Sequence, residues 1–199
     1  MKTFVSELKT ALLLTFVFAV LLCGVYPLVV WAGGQALFSD QANGSLITDK
    51  DGTIRGSALR AQSFSGAKYF RPRPSAAGTG YDAASSSGTN LGPTSKKLAD
   101  SIQAAVAAYR TENELAADTP VPADAVTSSG SGLDPHISIA NAELQAPRVA
   151  RARGQSLERV RALVRQHTVD RHFGVLGEPG VNVFLLNRAL DRAAAPASP

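Results

Sequence analysis

The chain has 199 residues, 45% of them hydrophobic, with a formal net charge of +4 and a sequence pI of about 9.5. That length holds one domain with a real core plus an appendage, and excludes two large domains. The positive balance comes mainly from Arg148 to Arg192, nine arginines against four carboxylates. Without interleaved aromatics or a recognised nucleic-acid motif, this stretch reads as a solvated basic face able to touch anionic lipid heads, and no nucleic acid is expected as a partner.

No side chain between Lys9 and Asp40 is charged. The apolar run "ALLLTFVFAVLLCGVYPLVVWA", 22 residues from Ala11 to Ala32, reaches roughly 33 Å as a helix, enough to span a bilayer. Phe16 and Leu21 lie within it, Pro27 is of a kind tolerated in membrane helices, and Tyr26 and Trp31 sit near one end as interfacial anchors do. A cleaved signal peptide would have a shorter apolar region and an A-x-A-like site. A lipid anchor at Cys23 would want a small residue where Leu22 stands. Lys2 and Lys9 precede the run and the next basic residue is Lys50, so the amino terminus is expected in the cytoplasm and the bulk of the chain outside it. Cys23 is the single cysteine, which leaves the exported part without a thiol in an oxidising compartment. The predicted organisation is a cytoplasmic stretch 1–10, a transmembrane helix 11–32, an extracytoplasmic α/β (mixed α+β) domain 33–192 and a disordered tail 193–199. The predicted localisation is a single-pass protein of the cell membrane.

In chain order, Asp51-Gly52 between Ile47 and Ile54 predicts a hairpin of two short strands. Leu98, Ile102, Val106 and Tyr109 recur at helical spacing behind Thr94 or Ser95 as N-cap, which predicts an amphipathic helix packed on a sheet. Ser138 to Arg153 reads as helical, with Pro147 starting a second helical piece and Gly154 ending it. Ser156 caps a further helix whose stripe is Leu157, Val160, Leu163 and Val164. "VNVFLLNRAL", Val181 to Leu190, reads as a buried strand running into a short helical end. Pro72 to Pro93 and Thr119 to Pro135 are long loops rich in small residues, and embedded Tyr81, Asn90 and Leu133 mark them as ordered and functional.

The stretch "SGSGLDPHIS", Ser129 to Ser138, holds the residue types of a hydrolase. It lacks the G-x-S-x-G elbow, and Asp134 and His136, separated by Pro135, project alongside each other instead of bonding in series with Ser129 or Ser131. A glycine loop ending in a helix cap explains it better, and no catalytic residue is assigned. Asp134, His136, His167 and His172 offer no metal-ligand spacing, so no metal is expected. "DKDGT", Asp49 to Thr53, resembles the phosphorylation signature of P-type ATPases, but Asp51 interrupts it and the rest of such an enzyme is missing. No phosphate-cradling G-x-x-x-x-G-K-[ST] loop occurs.

Read in order, "QANGSLI" (Gln41 to Ile47), "GSALRAQSF" (Gly56 to Phe64), "YFRPRPSAA" (Tyr69 to Ala77), "SSGTNLGP" (Ser86 to Pro93), "SGSGLDPHIS", "RVARARG" (Arg148 to Gly154) and "VNVFLLNRAL" resemble the KdpC family, the C subunit of Kdp-type potassium-transporting P-type ATPases. The resemblance covers nearly the full length. It implies a non-catalytic subunit that joins a channel-like potassium-translocating subunit and an ATP-hydrolysing subunit, and that acts as a catalytic chaperone raising the ATP affinity of the latter. The family pattern nearer "SGGSNLGP" has been likened to a nucleotide-contacting signature; Ser87 and Thr89 depart from it, and Arg71 stands where many relatives carry histidine.

ATP is thus implicated through the complex and not as an intrinsic cofactor, because the charge-derived topology puts these loops on the side without ATP. The expected interface residues are Gln62, Tyr69, Phe70, Arg73, Ser86, Gly88, Asn90, Ser129, Ser131, Asp134 and His136. Ala11, Phe16, Leu21, Tyr26, Pro27 and Trp31 form the expected membrane anchor, with lipid as a further partner. The competing readings are a free-standing exported binding module and a tethered hydrolase using Ser129 or Ser131.

Overall fold

The computed structural model describes residues 2–194 and divides the chain into two compact units, 1–57 and 58–199. In the first, α1 (Lys2–Val20), a π turn (Leu21–Val25) and α2 (Tyr26–Leu37) follow one another. Thr3–Leu37 forms a 35-residue helix in which an 18-residue window reaches a mean hydropathy of 2.5, long and apolar enough to cross a membrane. The helix thus runs beyond both ends of the predicted 11–32 segment. Pro27 accounts for the π turn: it has no N–H, and its ring crowds the Cys23 carbonyl. The wider turn, in which the Tyr26 amide reaches back to the Leu21 carbonyl, accommodates it.

A single helical turn, α3 (Ser39–Ala42), leads into the expected hairpin of β1 (Leu46–Thr48) and β2 (Ile54–Ser57), which pair antiparallel. The Asp51 carboxylate accepts the Thr53 amide at 3.0 Å and closes the turn.

In the second unit, β3 (His136–Ile137), β4 (Thr168–Val169) and β5 (Gly180–Asn182) form an antiparallel sheet of order β3-β5-β4. The helices α4 (Lys96–Asn113), α5 (Ala123–Val126), α6 (Ile139–Arg153), α7 (Leu157–Gln166) and α8 (Val183–Ala194) surround it. Both α6 and α8 pack on β5, and α7 packs on both helices. Ala142, Ala146 and Val149 of α6, Val160 and Val164 of α7, and Leu186 and Leu190 of α8 close a core with Ile137 and Val181 of the sheet. The mixed helix and sheet class agrees with the sequence reading, as do the caps: Ser95, Ser138 and Ser156 each accept an amide from the first turn of their helix.

Three local expectations need correction. The helix α4 packs on α6 and α5, not on a sheet, and its buried Tyr109 donates to the Asn141 side-chain oxygen at 2.7 Å. Pro147 does not begin a new helical piece but lies inside a continuous α6. It removes only the bond to the Glu143 carbonyl, while burial of Ala142, Ala146, Val149 and Ala150 holds the helix on both sides of it. In "VNVFLLNRAL" the strand ends at Asn182, and all that follows is α8. Asn182 accepts the Leu185 amide at 3.1 Å as a cap would, and Val183, Leu186 and Leu190 are buried at helical intervals. Ala193 and Ala194 of the expected tail belong to α8, and 195–199 lie outside the described residues.

The segment through Phe70 and Arg71 has no strand partner, yet it runs through the core. Side-chain amides take the place of a neighbouring strand. Asn187 of α8 accepts the Phe70 amide and donates to the Phe70 carbonyl, both at 2.9 Å. Gln145 of α6 accepts the Arg71 amide at 2.7 Å and donates to the Arg71 carbonyl at 3.2 Å. Arg148 donates to the carbonyls of Ala67 at 2.7 Å and Tyr69 at 3.1 Å. Replacing Asn187, which is fully buried, by alanine strands two buried backbone groups. An expected loss of about 2–5 kcal/mol follows, measurable as a lowered midpoint in thermal unfolding of the detergent-solubilised chain.

Candidate functional site: two interlocked loops

The segments 72–93 and 119–135 lie against each other, with residues from the first expected loop meeting those of the second at close range. The Ser131 carbonyl accepts the Ser87 amide at 3.0 Å and the Ser86 hydroxyl at 2.9 Å. Ser75 donates its hydroxyl to the Gly132 carbonyl at 2.6 Å. The contact is close enough to require glycine on both sides. At Gly88 a Cβ would meet the Gly130 carbonyl oxygen at 3.0 Å, and at Gly132, where φ is +67°, it would lie 2.7 Å from the Ala77 nitrogen and the Ser87 oxygen.

Arg73 links the same two segments by charge. Its guanidinium contacts the Asp134 carboxylate at 3.2 Å and the Ser128 carbonyl at 3.5 Å, while its Nε is buried without a partner among the described residues. Asp134 also accepts the His136 amide at 2.9 Å, and the His136 ring lies 3.5 Å from it. Burial pushes the Asp134 pKa up, but the hydrogen bonds from His136 and Arg73 outweigh it and hold the carboxyl below its ordinary value. A cleft of about 380 Å³, shared by both loops and α4, is lined by Pro74, Leu91, Leu98, Ile102, Ala105 and Val126 among others.

Of the expected interface residues, the structure brings Arg73, Ser86, Gly88, Ser129, Ser131, Asp134 and His136 into this interlocked region. Asn90, exposed at φ +53°, continues from it. Gln62 is half-buried next to Ala61, whose amide donates to the Leu133 carbonyl at 2.8 Å. Tyr69 stands apart from the loops, its hydroxyl donating to Asp191 at 3.1 Å and its ring 5.0 Å from the Arg153 guanidinium. Phe70 must be corrected: with no exposed surface it is a core residue and presents nothing to another chain. Ser129 is 5% exposed, so its side chain too is withdrawn. Arg71 donates to the Phe64 carbonyl and to Glu112. Ala11, Phe16, Leu21, Tyr26, Pro27 and Trp31 all lie exposed on the apolar helix.

The arrangement does not assemble a nucleophile. The Ser131 hydroxyl oxygen accepts the Leu133 amide at 3.1 Å, and Asp134 and His136 are engaged with each other and with Arg73. Within "SSGTNLGP" the Ser87 amide and the Ser86 hydroxyl are both bonded to the Ser131 carbonyl. Among the described residues no group of three or more His, Cys, Asp or Glu side chains is placed to hold a metal ion.

A family model described as "KdpC: K+-transporting ATPase, c chain" matches residues 8–192. The chain belongs to the KdpC family. A protein of Mycobacterium tuberculosis (strain ATCC 25618 / H37Rv) is 58% identical over 186 residues, 94% of this chain and 98% of that one. One of Myxococcus xanthus is 55% identical over 194 residues, 98% and 90% of the two chains. One of Caulobacter vibrioides (strain NA1000 / CB15N) is 52% identical over 191 residues, 96% and 95%. Each is named "Potassium-transporting ATPase KdpC subunit". In this KdpC-family chain the segments 72–93 and 119–135 are bonded directly to each other.

Sequence reasoning missed the polar residues that support these loops. Asp124 accepts the Ser138 amide and hydroxyl, each at 2.8 Å, and the Asn141 side-chain amide at 2.9 Å, fixing α5 to the start of α6. Asn141, Gln145 and Arg148 recur at helical spacing along α6, a signal present in the sequence.

Gly132→Ala should cost roughly 2–4 kcal/mol through strain and overlap with backbone, whereas Gly92→Ala, with nothing within 4 Å of the new Cβ, should be near neutral. Thermal unfolding of the two variants checks this. For Asp134 the folded pKa is depressed, so its stabilisation is complete above the ordinary value of 3.8 and is lost as pH falls through the lower folded value. Asp134→Asn should therefore be less stable than the parent at neutral pH, and the gap should close on acidification below 3.8. A gap that persists into strong acid contradicts the assignment.

Proposed function

We propose that this chain is the C subunit of a potassium-transporting ATPase complex, in which it docks and does no chemistry. As a KdpC-family member it is an accessory subunit and not the catalytic one. The observation that carries the docking reading is the interlocked pair of loops, in which the Ser75 and Ser86 hydroxyls and the Ser87 amide of one are bonded to carbonyls of the other. Rigid loops held in one conformation suit an interface, since little freedom is lost on binding.

In this reading the apolar helix spans the membrane with Lys2 and Lys9 on the cytoplasmic side, and the second unit works outside the cytoplasm. It meets the channel-like potassium-translocating subunit there, while the membrane helix meets partner helices. Direct contact with ATP is then not part of its action. Any rise in the ATP affinity of the hydrolysing subunit is a coupling free energy carried through the membrane helix or the partner chains, and by linkage ATP tightens the C subunit's hold in the same measure.

The test is to purify the tagged chain from detergent-solubilised membranes of cells grown at limiting potassium, identify its companions, and assay ATP hydrolysis with and without it. A P-type catalytic chain among the companions and loss of activity on removal are expected, with Ser129→Ala and Ser131→Ala together leaving hydrolysis within about two-fold of the parent. A chain recovered alone, with full pump activity in its absence, would overturn the proposal and favour a free-standing module.

A further inference from the structure

Between β4 and β5 the chain makes a short projecting turn. His172 and Leu176 exchange backbone hydrogen bonds, both of 2.9 Å, and close it. At its neck the Arg171 guanidinium meets both Glu178 carboxylate oxygens at 2.9 and 2.8 Å. The five residues Phe173 to Gly177 between these ties carry no polar side chain. Phe173 is 91% exposed, Val175 71% and Leu176 60%, with Val169 at the foot 47% exposed. Phe173 holds φ at +53°, a left-handed conformation uncommon for a bulky residue and a mark of constrained, functional turns.

A cleft of about 380 Å³ opens beside the turn, lined by Asp134, His136, Asp170, His172, Leu176 and Glu178 among others. Asp134 is paired with Arg73 and Glu178 with Arg171, while Asp170 has no ion-pair partner among the described residues. The feature is therefore an ordered apolar knob standing next to a carboxylate in excess.

We infer that this knob anchors the second unit on another protein subunit of the complex: Phe173, Val175 and Leu176 enter an apolar hollow whose rim carries a lysine or arginine facing Asp170. The inference rests on the reading of the chain as a subunit of a multi-subunit ATPase. An aromatic anchor beside a charged rim has the make-up of a protein hot spot. Anionic lipid heads would instead be repelled by Asp170, the cleft carboxylate without an ion-pair partner among the described residues, and charge complementarity therefore favours a basic protein surface.

The experiment replaces Phe173, or exposed Lys97 on α4 as control, with photoreactive benzoylphenylalanine in the full chain. Membranes holding the assembled complex are irradiated, and the adducts are identified after purification. The expected result is an adduct at position 173 with another protein subunit of the complex, at ten-fold or more the yield at position 97. Asp170→Lys should cut that yield at least five-fold. Phe173→Asp should lower the recovery of companions with an unchanged unfolding midpoint. Adducts with lipid only, or none above the control while the companions still co-purify, would overturn the inference and leave the subunit reading standing. An adduct yield indifferent to Asp170→Lys would overturn its charged half, and a chain with no companions would overturn both readings.

Discussion

The second unit depends on one local arrangement, the clamping of the Phe70–Arg71 backbone between two side-chain amides. A buried segment without a strand neighbour would leave its N–H and C=O groups unpaired at a cost of about 1–3 kcal/mol each. Asn187 and Gln145 each return a donor and an acceptor to one residue, reproducing the pairing a strand would supply. Because Gln145 also donates to Asn141, which accepts from Tyr109, and Arg148 also bonds Asn113, the clamp ties α4, α6 and α8 to the same stretch of chain. Phe70 can then fill the core although its backbone belongs to no sheet.

That clamp sets where the following residues begin. Arg73 leaves it two residues later to meet Asp134, and Ser75 reaches Gly132. The loops thus inherit their position from the core at one end and from the Asp124–Ser138 cap at the other. Constraint at both ends explains how long glycine-rich segments stay ordered with only the short α5 as regular structure: their freedom is removed by hydrogen bonds across the pair and by the lack of room for side chains at Gly88 and Gly132. In the proposed function such a surface serves assembly, and membership of the KdpC family is what supports that reading.

Much of this was legible in the residues. The apolar run, the hairpin at Asp51-Gly52, the serine caps and the stripe of α7 are local signals that tertiary contacts had no reason to override. The failures have physical causes. Val181 to Leu190 reads as a buried strand with a short helical end, and the cap formed by Asn182 instead ends the strand early and makes the helix the longer part. Pro147 is usually a boundary, but burial on one face of α6 outweighs one lost hydrogen bond. Phe70 reads as an aromatic contact offered by the loops, but the Asn187 clamp draws its backbone into the core and its side chain has no exposed surface. The run "FGVLG", five residues without a polar side chain between His172 and Glu178, is a local signal of the projecting turn that carries no helical or strand period.

The central claim is that the loops are a preformed docking surface and not a nucleotide site. Hydrogen exchange on the isolated detergent-solubilised chain, with and without ATP, tests it most directly. The account predicts slow exchange at the amides of Ala61, Phe70 and Ser87, all hydrogen-bonded in the structure, and no change on adding ATP. Exchange at unfolded-chain rates, with protection appearing only when ATP is present, would contradict it.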